Sequence, residues 1–110
     1  MKNDNFYLEH ILEAIKQVEK YSKGKKYAKF YDDEIVYDAI IRQLAVIGEA
    51  TNKLSRDFKK ENSEMDFRVI IGMRNFLIHE YFNIDKKIIW KTCREDLVEY
   101  KKFIKQRLKE

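Results

Sequence analysis

The stretch MRNFLIHEYF, from Met73 to Phe82, places Arg74, His79 and Tyr81 within eight residues at the end of an otherwise apolar helix. The apolar residues around it recur at the three-and-four spacing of a buried helical face, at Phe67, Ile70, Ile71, Leu77 and Ile78. Arg74 and Tyr81 fall on that same face. Burying an unpaired guanidinium is costly, and nothing local supplies a partner for Arg74, so the face is predicted to line a polar cleft. A salt bridge within the chain or between subunits is the alternative for Arg74.

Before this stretch, a persistent apolar seam predicts a long second helix from about residue 33 to residue 58. Its members alternate steps of three and four: Tyr37, Ile40, Leu44, Ile47, Thr51, Leu54 and Phe58. Ile41, Ala45 and Gly48 widen the seam, and the two small residues among them would allow another helix to approach closely. Asp32 or Asp33 can cap its start.

Two further amphipathic helices are predicted, at about residues 5–22 and 85–109, while the Arg74 stretch ends a third helix that begins near Asp66. The KGKK cluster at Lys23 to Lys26 is predicted to lie in a loop. Its lysines are either solvated charges or contacts to an RNA backbone. No segment of the sequence shows a β-strand pattern as an alternative to these helices. The expected fold is therefore all-α, an antiparallel four-helix bundle formed by a single domain over residues 1–110.

Composition excludes several classes of protein. The formal net charge of +4 permits an anionic partner without requiring one. No apolar run is long enough for a transmembrane span and no signal peptide is evident, so a cytoplasmic protein without membrane contact is expected. Two histidines and one cysteine, Cys93, are too few for the usual metal sites. We expect no metal and no cofactor, and Cys93 in the core.

Arg74 and His79 are the remaining candidates for chemistry. Cleavage of RNA by its own 2′-hydroxyl needs a base, an acid and a cation near the phosphorane, and histidine and arginine suit these roles. On an ideal helix the two positions lie about 140° apart, so both reach one phosphate only if the helix ends near His79 or a second subunit contributes. A twofold homodimer would supply two of each. A structural histidine at a helix end is the alternative for His79.

Two segments of the sequence resemble a known family. IIRQLAVIGEATNKLS, Ile40 to Ser55, followed by FRVIIGMRNFLIHEYFNIDKKIIW, Phe67 to Trp90, is similar to the HepT toxins of the HEPN superfamily of helical ribonucleases. The family motif is an arginine, four residues, a histidine, any residue and a tyrosine, and Arg74, His79 and Tyr81 match it. The resemblance implies an all-α homodimer whose paired motifs form a ribonuclease cleft.

The resemblance also implies roles for individual residues. Arg74 and His79 would be catalytic, and Asn75 would supply the supporting polar residue that follows the arginine in HEPN proteins, orienting His79 or the phosphate. The sequence departs from the family where many members have Pro-Trp before the third helix, because Asp66 and Phe67 stand there. This departure affects the helix cap and leaves the motif intact.

Tyr81, taken alone, is either a half-buried aromatic residue with a solvated hydroxyl or a residue at the cleft mouth. In the family, this tyrosine receives AMP from a minimal nucleotidyltransferase antitoxin (MntA-like). The resemblance thus implies a toxin–antitoxin system in which this partner neutralises a metal-independent ribonuclease that acts on tRNA or mRNA. The alternative functions are a non-catalytic nucleotide-binding or adaptor subunit of a nucleotidyltransferase complex and a plain structural dimer module.

Four other polar residues lie on predicted helices outside the motif. Arg42, Glu49 and Asn52 share one face of the second helix, where they can line the cleft, pair with Arg74 or face solvent. His10 has no motif around it and is expected to be an exposed helical residue.

Overall fold

The computed structural model describes residues 3–23, 32–79 and 85–109, without the side chains of Ile78 and His79. The helical elements in these ranges are α1 (Asp4–Ser22), α2 (Glu34–Asn52), α3 (Arg56–Glu61), α4 (Phe67–His79), α5 (Lys86–Lys91), a π-helical segment (Thr92–Asp96) and α6 (Leu97–Lys109). No strand occurs in the described ranges, and the predicted all-α class is confirmed. No helix there is long and apolar enough to cross a membrane.

The helices begin where polar side chains satisfy free backbone N–H groups. Asn3 accepts a hydrogen bond from the Phe6 N–H at 3.0 Å, and Asp33 accepts one from the Val36 N–H at 3.1 Å. Asp85 caps α5 by accepting from the N–H of Lys87 at 2.9 Å. Asp33 is one of the two residues that the sequence analysis offered as the cap of the second helix, and short polar side chains of this kind stabilise the cap position.

The second helix is shorter than predicted. It ends at Asn52 instead of continuing to residue 58, and the chain turns before α3 begins. The Ser55 hydroxyl accepts a hydrogen bond from the N–H of Phe58 at 3.0 Å, which starts a new helix. The Ser55 N–H and hydroxyl both donate to the Asp4 carboxylate at 2.7 Å, so a contact with α1 replaces continued helical bonding. The short α3 is thus an addition to the predicted four helices.

The last helix spans the predicted range but is not regular throughout. Backbone angles stay helical from α5 through the π-helical segment into α6, so residues 86–109 form one continuous helix. The apolar stripe explains the wider turn. Ile89, Cys93 and Leu97 are spaced four apart, and in a regular α-helix two such steps would drift about 80° around the axis. A π-helical turn contains more residues and keeps all three side chains in the core.

The core is built around α2. Its predicted seam is buried from Tyr37 to Leu54, with Phe58 of α3 partly buried beside it. The Thr51 and Tyr100 hydroxyls share a buried hydrogen bond of 2.8 Å between α2 and α6. Desolvation raises the pKa of Tyr100, so it stays neutral at ordinary pH. Cys93 is buried as expected, and burial raises the pKa of its thiol to about 12, which makes it a poor nucleophile.

The helix directions follow from contacts near their ends. The bonds from Ser55 to Asp4 join the end of α2 to the start of α1. Lys101 near the start of α6 donates to Glu19 near the end of α1 at 2.8 Å. Therefore α1 runs antiparallel to both α2 and α6. The fourth long element, α4, packs against α2, and this contact positions Arg74.

Candidate active site

Gly48 allows α2 and α4 to approach closely at Arg74. A Cβ atom at position 48 would lie 2.3 Å from the Arg74 Cβ and 3.2 Å from the carbonyl oxygen of Ile70. The first distance is far below any real contact, so only glycine fits unless the helices move apart. This close contact fixes the point at which the Arg74 side chain leaves α4.

Two neighbours hold the Arg74 guanidinium. Its Nη2 lies 2.9 Å from the Glu49 carboxylate on α2, and its Nη1 donates to the Asn75 side-chain oxygen at 2.9 Å. Arg74 therefore has the intrachain salt bridge that was one of its two predicted alternatives. Its side chain is 34% exposed, so the guanidinium is accessible rather than sealed in the core. Asn75 contacts Arg74 here, whereas the family resemblance implied that it orients His79 or the phosphate.

An open groove of about 450 Å³ lies beside Arg74, with α1 and α2 as its two walls. Arg42 and Glu49 of α2 line it together with Arg74. These two belong to the three α2 residues that were candidates for the cleft. The third, Asn52, is exposed at the end of α2 and is not among the groove residues, although its carbonyl accepts from Lys59 at 3.0 Å.

The opposite wall contains two residues that the sequence did not identify as functional. His10 and Phe6 of α1 both line the groove, with ring centroids 4.4 Å apart. His10 is exposed, as predicted, but it faces the groove that contains Arg74. The available signal was the spacing of four between Phe6 and His10, which places two aromatic rings on one face of α1.

His79 and Tyr81 can be located only in part. His79 is the last residue of α4, and its side chain lies outside the described residues, as does the whole of Tyr81. Because the backbone is helical from Arg74 to His79, the two positions are separated by about 140° around the axis of α4. Position 79 lies seven residues after Gly72, and therefore on nearly the same side of α4 as Gly72, about 20° away.

In the described part of the chain, no group of three or more His, Cys, Asp or Glu side chains is placed to hold a metal ion. The groove beside Arg74 is lined by three cations and one carboxylate, by the rings of α1 and by small apolar residues of α2. Such a surface is suited to binding an anionic ligand that carries a flat apolar group.

Comparisons with known proteins show the family to which the chain belongs. The family model described as "Ribonuclease HepT-like" matches residues 11–107. A Caldanaerobacter subterraneus protein named "Putative RNase" is 37% identical over 106 residues, covering 96% of this chain and 95% of its own. A Thermococcus cleftensis protein named "Probable ribonuclease HepT" is 40% identical over 102 residues, covering 92% and 93%. No solved structure matches significantly. The family model covers most of the chain and both relatives are matched over nearly their whole length, so the chain belongs to the HepT-like ribonuclease family.

Proposed function

We propose that the protein is a HEPN-type endoribonuclease that cleaves RNA without a metal ion and acts as the toxin of a toxin–antitoxin system. The observation that carries the proposal is the placement of Arg74, accessible in the lining of an open groove that also contains Arg42 and Lys53, and held by Glu49 and Asn75. Family membership supports the reaction, and the Arg74, His79 and Tyr81 motif supports the assignment of residues.

Arg74 is suited to stabilise the phosphorane. A guanidinium has five N–H donors, and the contacts to Glu49 and Asn75 use one on each terminal nitrogen. The remaining donors suit phosphate oxygens, which arginine binds in a planar fork. Glu49 and Asn75 therefore act as positioning residues in this proposal. His79 would transfer a proton, as base to the attacking 2′-hydroxyl or as acid to the leaving oxygen.

A twofold dimer would complete this site. Positions 74 and 79 are about 140° apart around α4, and α4 ends at His79, so one phosphate reaches both residues of a single copy only at this helix end. A second copy would supply another arginine and histidine to the same cleft. Gly72 and its neighbours supply a surface for the second copy. Val69 and Phe76 are 58% and 39% exposed, and among the described residues no atom of another part of the chain lies within 4 Å of where a side chain at Gly72 would begin. An exposed helical glycine costs about 1 kcal/mol relative to alanine, and a close helix approach in a dimer would account for it.

We expect Gly72→Lys to dissociate the dimer. The space around Gly72 tolerates a side chain in one copy, but an unpaired ammonium buried between copies weakens association by on the order of a hundredfold. Light scattering at micromolar concentration measures the change, with Ile35→Lys, at a position 83% exposed on α2, as the control. A wild-type monomer that still cuts RNA would contradict the shared site.

Ribonuclease activity is tested by incubating total RNA with the purified protein. We expect the wild-type protein to cut RNA in the presence of EDTA and the His79→Ala variant to leave it intact, because the histidine transfers the proton. Circular dichroism and light scattering establish that the variant keeps its fold and assembly. Activity that required an added divalent metal would contradict the proposed chemistry. An intact wild-type dimer that cuts nothing would favour the adaptor function.

Tyr81 is the proposed site of neutralisation. By analogy with the family, a minimal nucleotidyltransferase would join the α-phosphate of ATP to the Tyr81 oxygen and release pyrophosphate. Each AMP adds bulk and negative charge beside Arg74 and His79, where it would compete with an RNA phosphate. We expect coexpression to add whole AMP masses to Tyr81 and abolish cleavage, while Tyr81→Phe stays active and unmodified. Intact-mass spectrometry with peptide mapping decides this, and neutralisation without added mass would contradict it.

A further inference from the structure

The groove beside Arg74 has the size of a ligand site rather than of a packing defect. Its volume of about 450 Å³ falls within the range of about 300–1,000 Å³ that is typical of small-molecule sites. It is open to solvent, and its lining includes the arginine proposed to contact the scissile phosphate. A group bound in it would therefore belong to the nucleotide next to the cleaved bond.

One wall of the groove presents aromatic rings to solvent. Phe6 is 48% exposed, although a phenylalanine of α1 would gain free energy by being buried. Its ring contacts those of His10 and Tyr7, at centroid distances of 4.4 Å and 5.2 Å. These contacts restrain the ring without covering it. A restrained and accessible ring is the surface on which unpaired nucleobases stack in RNA-binding proteins.

The other wall carries cations among the small apolar residues Ala45, Val46 and Ala50. Arg42, Lys53 and Arg74 line the groove, opposed by the single carboxylate of Glu49. Glu49 pairs with Arg74, whereas Arg42 and Lys53 form no salt bridge within the described residues. The groove therefore has an excess of two positive charges beside its aromatic wall. This combination matches a nucleotide, which carries a flat base and a phosphate, better than an apolar helix of a protein partner.

We propose that this groove is a nucleobase subsite, in which an unpaired base of the RNA stacks on Phe6 while its phosphates contact Arg42 and Arg74. The inference rests on the proposed ribonuclease function and adds a determinant of specificity to it. A base paired in a double helix cannot enter the groove, because its faces are covered by its neighbours. The substrate is therefore a single-stranded segment or loop in which one base beside the cut is free.

The test measures RNA binding apart from cleavage. In a His79→Ala background, a labelled oligoribonucleotide that the wild-type protein cuts is titrated with protein, together with versions that lack one base at each position beside the cut. We expect Phe6→Ala to raise Kd about tenfold, a typical loss for one stacked base. With Phe6 present, removing the base at one of these positions should also raise Kd about tenfold. With the Phe6→Ala variant, removing that base should raise Kd little further, because the two changes remove the same stacking contact.

Further variants separate stacking from apolarity and folding. Phe6→Trp keeps a ring and retains affinity, whereas Phe6→Leu keeps an apolar side chain and binds as weakly as Phe6→Ala. Ile35→Ala, at an exposed apolar position away from the groove, leaves Kd unchanged. The subsite is overturned if Phe6→Ala leaves Kd unchanged. It is also overturned if Phe6→Ala and removal of each base weaken binding independently, so that their free-energy losses add. In both cases the proposed function stands.

Two other results also overturn the inference. If Phe6→Ala changes the assembly seen by light scattering rather than the affinity for RNA, the groove is covered by another copy of the chain. If the wild-type protein neither binds nor cuts RNA, the proposed function fails together with the subsite.

Discussion

Replacing Arg74 with alanine is expected to slow RNA cleavage by on the order of 10² to 10³, the typical loss when one preorganised donor to a developing anion is removed. The fold should persist, because the lost salt bridge to Glu49 is partly exposed and such pairs contribute at most about 1 kcal/mol. Arg74→Lys should recover little of the rate, since a lysine keeps the charge without the planar fork. Single-turnover cleavage of a labelled oligonucleotide measures each effect.

The matched control is Arg68→Ala on the same helix. Arg68 is 93% exposed and contacts only Asp66 of its own capping turn, at 3.5 Å, among the described residues. Its removal subtracts the same charge from α4 and should change the rate less than about twofold at physiological salt, where exposed charges are largely screened. Equal losses for the two variants would show that Arg74 contributes general electrostatic attraction rather than a specific contact.

Local patterns predicted most of the helices because each buried stripe repeats along the chain. The seam of α2, the stripe of the last helix and the cap at Asp33 all follow from neighbours within a few residues. The early end of α2 does not follow from such local patterns. It depends on bonds between Ser55 and Asp4, which are 51 residues apart. A contact at that separation has no signature in the periodicity of either segment.

The candidate site was predictable to a similar extent. The motif directed attention to Arg74, and the pattern of α2 placed Arg42 and Glu49 on one face, where the structure has both in the groove. The pairing of Arg74 with Glu49 remained one of several alternatives, because it depends on how α2 and α4 cross. His10 and its groove were missed, since nothing in the surroundings of His10 indicates which helix faces it.

Gly48 connects the fold to the site, because the position of Arg74 depends on the absence of a side chain there. In an ordinary helix, Gly→Ala would stabilise by about 1 kcal/mol. At this position the new Cβ would overlap the Arg74 Cβ and press on the Ile70 carbonyl, and neither backbone-anchored group can yield without moving α4. Overpacking of this kind costs about 1–3 kcal/mol, so we expect Gly48→Ala to be destabilising overall and Gly48→Val to be more so.

The same displacement should lower activity. Moving a catalytic group by about 1 Å can cost on the order of 10² in rate, so cleavage should fall from wild type to Gly48→Ala to Gly48→Val in the order of side-chain size. Urea denaturation at one fixed protein concentration gives the free energy of unfolding, and cleavage is measured under conditions where every variant is folded. Ile35→Ala, on the exposed face of the same helix, controls for changes in α2 that leave its contact with α4 intact. A Gly48→Ala protein as stable and as active as the wild type would mean that α2 and α4 do not pack closely at this point, and that Arg74 is positioned by Glu49 and Asn75 alone.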